Sequence, residues 1–96
     1  MQYNFEWDPA KARANRTKHG VSFEEAATVF RDPRMLTLYD GDHSEQEERW
    51  TTLGIAATGR LLVVRHTYHE ESADVIRIRL FSSRKASKHE TAQYAE

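Results

Sequence analysis

Charged and aromatic side chains share one face of a predicted strand near the end of the chain. Because successive strand residues point to opposite faces, residues 74–82 divide into an apolar row and a cationic row. The apolar row is Ile76, Ile78 and Leu80, and the other row is Val75, Arg77, Arg79 and Phe81. Guanidinium groups bind phosphate and an aromatic ring can stack on a nucleobase, so this row is a candidate nucleic-acid surface. A merely solvated face is the alternative.

A histidine lies on the strand predicted just before this one. Arg65 and His66 are consecutive within residues 60–69 and so point to opposite faces, and strand pairing would bring one of them beside the arginine row. An imidazole that titrates near neutrality could move a proton during phosphodiester cleavage. His66 also follows an apolar run, 61–64, so a buried, hydrogen-bonded histidine is the equally open alternative.

Further cations flank these strands. Arg49 opens an earlier strand beside Trp50, which we expect in the core. Arg84 and Lys85 precede the last predicted helix, whose positive end would reinforce an anion site. Lys18 shares one side of the first predicted helix with Lys11 and Asn15, a pattern also typical of a helix side that faces water.

A metal site is the rival chemistry, and we expect neither a metal nor a cofactor. His66 and His69 are three apart on a predicted strand and so face opposite sides. The segment 40–48 lacks the spacing of a calcium loop, which favours a solvated acidic loop. The chain has no cysteine, which excludes thiolate ligands and disulfides.

Length and composition predict a single domain spanning residues 1–96. The chain is 39% hydrophobic and 30% charged, typical of a globule with a modest core, and its apolar runs are far shorter than the roughly 20 residues that span a bilayer. We expect a cytoplasmic protein. Residues 1–48 hold six Lys/Arg against ten Asp/Glu, whereas 49–96 hold eight against five, so a nucleic-acid surface should come mainly from the second half.

Local signals predict an α+β domain in the order β-α-α-β-β-β-β-α. Asp8, Pro9 and Gly20 delimit a first helix over 9–19, and Ser22 with Glu25 forms a capping box that starts a second, ended by Asp32 and Pro33. The strands are 3–7, 35–39, 49–56, 60–69 and 74–82, the last four forming an antiparallel meander. A second capping box, Ser87 with Glu90, starts the last helix over 88–95.

Taken together, the motifs resemble the BrnT family from about Phe5 to Tyr94. They run in order: FEWD at 5–8, Lys11, Asn15, KHGVSFEEA at 18–26, ERW at 48–50, HT at 66–67 and RLFSSRKA at 79–86. Arg79 and Arg84 match the arginines of the family's R-I-I-S-A-R segment, and His66 matches its H-T pair. Arg49 and Lys18 match its E-R and K-H-G elements.

The resemblance implies a RelE-like ribonuclease, with a twisted antiparallel sheet, helices on one face and an RNA-cleaving surface on the other. It implies a toxin of a type II toxin-antitoxin system that inhibits translation. The implied partner is a BrnA-type antitoxin with a ribbon-helix-helix part, in a two-plus-two complex that reaches operator DNA only through the antitoxin. The acidic segment 40–48, with Glu45, Glu47 and Glu48, is a candidate contact for a basic part of the antitoxin.

The mechanism that we expect is metal-independent RNA cleavage in which the ribose 2′-hydroxyl attacks the adjacent phosphorus. Arg79 and Arg84 would stabilise charge on the phosphate oxygens and His66 would act as base or acid. The remaining cations would bind RNA: Arg49, Lys18, Arg77 and Lys85. A non-catalytic module that binds RNA or protein through the same basic face is the alternative.

Overall fold

The computed structural model describes residues 1–41 and 47–96. Its strands are β1 (Gln2–Glu6), β2 (Leu36–Tyr39), β3 (Arg49–Ile55), β4 (Leu61–Thr67), β5 (His69–Glu70) and β6 (Val75–Lys85). Its α-helices are α1 (Pro9–His19), α2 (Phe23–Ala27) and α3 (Lys88–Tyr94), and a 3-10 helix, Thr28–Arg31, continues α2. The predicted α+β class is therefore confirmed.

The six strands form one sheet in the order β1-β6-β4-β3-β2, with β5 beside β6. β2, β3, β4 and β6 pair antiparallel, as the predicted meander requires, but β1 pairs parallel with β6, from Gln2 opposite Val75 to Glu6 opposite Arg79. The expectation of a wholly antiparallel sheet is thus wrong at this edge. Alternation along a strand identifies the strand and its faces, whereas its direction depends on the path of the intervening chain.

The two faces of the sheet differ. On the core face, α1 and α2 cover a buried cluster that includes Phe23 and Phe30 from the helical segments and Leu62, Ile78 and Leu80 from the sheet. We call the opposite side the outer face. α3 lies there, and its Glu90 and Gln93 line a groove of about 300 Å³ together with Leu53 and Val63. The expectation that all helices lie on one face is therefore wrong for α3.

Local capping signals account for the helix boundaries. The Asp8 side chain accepts a hydrogen bond from the Ala10 N–H, and Gly20 ends α1 at φ 68°, in the left-handed region that favours glycine. Ser22 accepts from the Glu25 N–H at 3.1 Å. The Glu25 carboxylate binds Arg60 instead of completing the predicted box.

The second capping box forms completely. Ser87 accepts from the Glu90 N–H, and the Glu90 carboxylate accepts from the Ser87 N–H at 2.8 Å. At the other end of α3, the Tyr94 hydroxyl donates to Asp32. These contacts fix α3 at both ends on the outer face. Within the described ranges, no helix has the length and apolar character needed to cross a membrane.

Candidate nucleic-acid interface

A bulge in β6 determines which cations share the outer face. Arg65 of β4 pairs with Ser82, whereas the next residue, His66, pairs with Leu80, so Phe81 is the extra residue of β6. Arg79 and Arg84 are five positions apart and would lie on opposite faces of a regular strand. The extra residue reverses the alternation, and both arginines therefore lie on the outer face.

Three cations converge on the Phe81 ring from three different elements. The Arg49 guanidinium carbon lies 4.4 Å from the ring centroid, that of Arg79 5.1 Å, and the Lys11 ammonium 5.6 Å. All three distances are within the range of cation-π attraction. We call these four residues the Phe81 cluster. Three cations around one partly buried ring, one of them paired with Glu47, are an arrangement that can attract a phosphate group.

A fourth guanidinium lies beside the Phe81 cluster. Arg65 lines a small depression of about 110 Å³ together with Arg49, Phe81 and the acidic residue Asp40. The sequence had left open whether Arg65 or His66 would stand beside the arginine row. The register answers this question in favour of Arg65, because it pairs with Thr51 and Ser82 on the outer face.

Arg79 also connects the Phe81 cluster to a neighbouring cleft. Its guanidinium forms an ion pair with Glu47, and both residues line a cleft of about 290 Å³. The other described residues lining the cleft are Glu6, Glu48, Thr67, Tyr68, His69 and Arg77. Arg77 pairs with Glu71 at 3.2 Å at the far side. Arg79 is thus the side chain shared by the positive cluster and the mixed-charge cleft.

Arg84 lies on the expected face but outside the Phe81 cluster. Both of its terminal nitrogens bind the Glu90 carboxylate, at 2.8 and 2.9 Å. Hydrogen bonding from Arg84, despite the opposing effect of burial, lowers the pKa of Glu90 to about 2. The same carboxylate caps α3, so Arg84 anchors this helix to β6.

Both of the predicted RNA-binding lysines lie away from the cluster. Lys85 pairs with Leu62, a core-face residue, and its charge acts on Glu25, so its side chain belongs to the core face. This placement corrects the expectation that Lys85 joins the arginines, because the bulge reverses its side as well. Lys18 is exposed on α1, beyond the point where Asn15 binds Ser83, whereas Lys11 of the same helix reaches Phe81.

His66 does not lie beside the arginines. Its side chain is fully buried on the core face, with its ring 4.8 Å from that of Phe30. Burial lowers the pKa of His66 to about 4. The hydrogen bond to the Thr67 carbonyl acts in the opposite direction but offsets only part of this effect. The expectation of a catalytic base or acid at this position is corrected: the sheet separates the imidazole from the outer face.

The hydrogen bonds of His66 define its tautomer. The ring Nδ1 is 2.7 Å from the Thr67 carbonyl oxygen, which only accepts, so Nδ1 carries the proton. Nε2 then accepts from the Thr52 hydroxyl at 2.7 Å, and Thr52 in turn accepts from Thr37 at 2.9 Å. His66 is therefore a neutral, fully bonded core residue, the alternative that its apolar surroundings had suggested.

Three participants in the site were not among the predicted ones. In the sequence, Lys11 is only part of a helix stripe, because its contact with Phe81 depends on how α1 packs along β6. The sequence indicates Glu47 only as a candidate antitoxin contact and His69 only as a candidate metal ligand. The signal that could have identified His69 is its position in the short segment that connects the strands bearing Thr67 and Arg77.

The rival metal site gains no support from the part of the chain that the structure describes. Within residues 1–41 and 47–96, no group of three or more His, Asp or Glu side chains is placed to share a metal ion. Two other predicted sites extend into residues 42–46, which lie outside the described residues. They are the alternative metal site at 40–43 and the antitoxin-contact segment at 40–48, which contains Glu45.

Comparisons with known proteins agree with the sequence resemblance. The family model described as ribonuclease toxin, BrnT, of type II toxin-antitoxin system matches residues 7–90. The fold is similar to the 1.1 Å crystal structure of the Brucella abortus ribonuclease toxin BrnT, with a TM-score of 0.63 and 17% identity over 92% of this chain and 100% of that chain. At this identity the structural likeness establishes the fold alone. Comparison with curated protein sequences gives no match.

Proposed function

Because the chain belongs to the BrnT family of ribonuclease toxins of type II toxin-antitoxin systems, we propose that it cleaves single-stranded RNA without a metal ion and thereby inhibits translation. In this proposal residues 1–96 form a single RelE-like toxin domain. The RNA supplies its own nucleophile: the ribose 2′-hydroxyl attacks the adjacent phosphorus, and the products carry a 2′,3′-cyclic phosphate and a 5′-hydroxyl. The protein then has to bind and orient the RNA and to stabilise the negative charge that develops on the phosphate.

The observation that carries the proposal is the convergence of Lys11, Arg49 and Arg79 on Phe81. Cations held in advance around the position of a phosphate stabilise the extra negative charge of the pentavalent transition state without having to reorganise. They come from α1, β3 and β6, so the fold itself brings them together. Phe81 attracts each cation to its ring and thereby offsets part of their mutual repulsion.

Within this site Arg79 is the main candidate for contact with the scissile phosphate. Its side chain is 42% exposed, so an incoming phosphate can reach it, and its present carboxylate partner, Glu47, can be exchanged for that phosphate. Arg49 and Lys11 would hold the same or the adjoining phosphate, with Arg77 and Lys18 contacting the RNA farther away. Arg84 would contribute to the site indirectly, by anchoring α3 through Glu90. Evidence that Arg84 contacts the RNA directly would revise this assignment.

The proposed function is tested with purified protein and a labelled single-stranded RNA in the presence of EDTA. The expected result is cleavage to fragments ending in a 2′,3′-cyclic phosphate, because no step requires a divalent cation. Retardation of the RNA without cleavage would indicate the binding module instead. Cleavage that occurs only with added Mg²⁺, or that leaves a 3′-hydroxyl, would contradict the mechanism.

A toxin of this class is paired with an antitoxin, and we propose that the partner is a BrnA-type protein with a ribbon-helix-helix part. Two toxins and two antitoxins would form the complex, which would contact operator DNA through the antitoxin and reside in the cytoplasm. The test is co-expression with the neighbouring reading frame, followed by measurement of the mass of the complex. A neighbour that encodes no ribbon-helix-helix protein would contradict the assignment of the partner.

A further inference from the structure

The cleft beside the Phe81 cluster contains groups that could transfer protons, which His66 cannot do from the core face. Cleavage by a 2′-hydroxyl requires removal of the proton on O2′ and protonation of the leaving O5′. The cleft, of about 290 Å³, shares Arg79 with the Phe81 cluster, and its lining includes carboxylates and one imidazole. Carboxylates and imidazoles are common general bases and general acids.

His69 is the imidazole of the cleft, and the register fixes its direction. It forms the short strand β5 with Glu70 and lies directly opposite Arg77 of β6. Side chains of directly opposed strand residues lie on the same face, so His69 points to the outer face, as Arg77 and Arg79 do. Arg79 is two residues beyond Arg77 on β6, and the Cα atoms of these two residues are roughly 7 Å apart. His69 is exposed, in contrast to the fully buried His66.

Glu47 is the carboxylate of the cleft that already contacts Arg79. The ion pair holds the carboxylate beside the guanidinium that we assign to the scissile phosphate. A phosphate that took its place on Arg79 would leave the Glu47 carboxylate in the same cleft as that phosphate. The 39% exposure of its side chain leaves room for this exchange.

We propose that His69 and Glu47 are the proton-transfer pair of the ribonuclease, an inference that rests on the function proposed above. Glu47 accepts the proton of the 2′-hydroxyl as O2′ forms its bond to phosphorus. His69, in its protonated form, donates a proton to O5′ as the bond between phosphorus and O5′ breaks. The products are the 2′,3′-cyclic phosphate and the 5′-hydroxyl, with one proton gained by Glu47 and one lost by His69, which exchange with water.

Carboxylates and guanidinium groups share the cleft with His69. The carboxylates are those of Glu6, Glu47 and Glu48, and Glu71 binds Arg77 at the rim. Tyr68 also lines the cleft, and burial raises its pKa further above the ordinary value of 10, which makes its hydroxyl a poor base near neutrality.

The two roles predict different responses to a better leaving group. An RNA substrate whose scissile O5′ is replaced by sulfur releases a thiolate that needs no protonation. His69→Gln should therefore lower cleavage of ordinary RNA by about 10²- to 10⁴-fold but cleavage of the sulfur-substituted RNA only slightly. Glu47→Gln should lower cleavage of both substrates by similar factors, because the attack by O2′ is common to them.

Matched controls are His89→Gln in α3 and Glu24→Gln in α2, both exposed positions outside the cleft. They should cleave both substrates at the wild-type rate, and all variants should unfold at the same urea concentration as the wild type within error. His69→Gln with wild-type activity on ordinary RNA, or with an equal loss on both substrates, would overturn the role of His69 as the acid. Glu47→Gln with wild-type activity would overturn the role of the base. Wild-type protein that cleaves neither substrate would refute the proposed function itself.

Discussion

The Asn15 carboxamide binds both backbone polar groups of Ser83, a residue 68 positions away in the sequence. Its Nδ2 donates to the Ser83 carbonyl at 2.9 Å, and its Oδ1 accepts from the Ser83 N–H at 3.0 Å. Nδ2 also donates to the Val21 carbonyl at 2.9 Å. These bonds replace a neighbouring strand at the part of β6 that β1 does not reach, and they place Lys11, one turn earlier in α1, beside Phe81.

Asn15→Ala should destabilise the protein strongly, because the Val21 carbonyl and the Ser83 carbonyl and N–H lose their hydrogen-bond partner. Asn15 is only 6% exposed, so water has little access to replace it. We expect a loss of about 2–4 kcal/mol in the free energy of unfolding, measured by urea titration. Asn4→Ala, at an exposed position of β1, is the control and should cost much less. Equal stability of the two variants would show that the Asn15 bonds do not hold α1 to β6.

Stability should decrease as the pH falls through the range in which His66 would be protonated. Burial holds the pKa of His66 at about 4, below the ordinary 6.5, so between these values the unfolded chain binds more protons than the folded one. This one group should lower the free energy of unfolding by about 2 kcal/mol at pH 5 relative to pH 8, and the effect should be absent above about pH 7.

The His66 prediction is measured by urea unfolding across pH 4.5–8 and by NMR titration of the ring. His66→Gln cannot titrate and should show a shallower dependence on pH, while the acidic groups continue to act in both proteins below about pH 4.5. An imidazole that titrates near 6.5 would mean that His66 is accessible to water, and its exclusion from proton transfer would then be wrong.

Lys11 should matter more than Lys18 for binding RNA, although both lie on the same side of α1 in the sequence pattern. Lys11 belongs to the Phe81 cluster and Lys18 does not. Binding is measured with a 2′-O-methyl oligonucleotide, which cannot be cleaved by 2′-hydroxyl attack, over a range of salt concentrations. Lys11→Gln should weaken affinity and reduce the salt slope by about 0.7, as expected for one lost phosphate contact. Lys88→Gln is the control, and a larger effect at Lys18 than at Lys11 would place the RNA elsewhere.

Arg84 and Glu90 should behave as a structural pair. We expect Arg84→Ala to lower RNA cleavage by less than tenfold and stability by no more than about 1 kcal/mol, since the Arg84 side chain is 41% exposed. Glu90→Ala should cost more stability, because the same carboxylate also caps α3. If Arg84→Ala abolished cleavage while Glu90→Ala preserved it, Arg84 would be a direct RNA contact.

The sequence allowed the elements and one functional face to be predicted because their signals are local. Caps at Asp8, Ser22 and Ser87 marked the helix starts, and alternation placed Arg79 and Phe81 on the side opposite the core. These features depend on residues within a few positions of each other. The family motifs added the expected function.

The remaining features depend on contacts between distant parts of the chain. The bulge at Phe81, which determines the faces of Arg84 and Lys85, arises from pairing between β4 and β6. The side on which His66 lies follows from the same pairing, and the approach of Lys11 to Phe81 follows from the packing of α1. No pattern along the sequence encodes these contacts directly, so the convergence expected between Arg79 and His66 was wrong, whereas the cluster around Phe81 went unnoticed.

The most direct test of the account compares wild type and Arg79→Ala in cleavage of single-stranded RNA with EDTA present. Both proteins should have the same urea midpoint within error, because Arg79 is partly exposed and paired at the surface. The wild type should leave 2′,3′-cyclic phosphate ends, and the variant should be slower by about 10²- to 10³-fold. A folded Arg79→Ala variant that cleaves at the wild-type rate would contradict the assignment of Arg79 to the scissile phosphate.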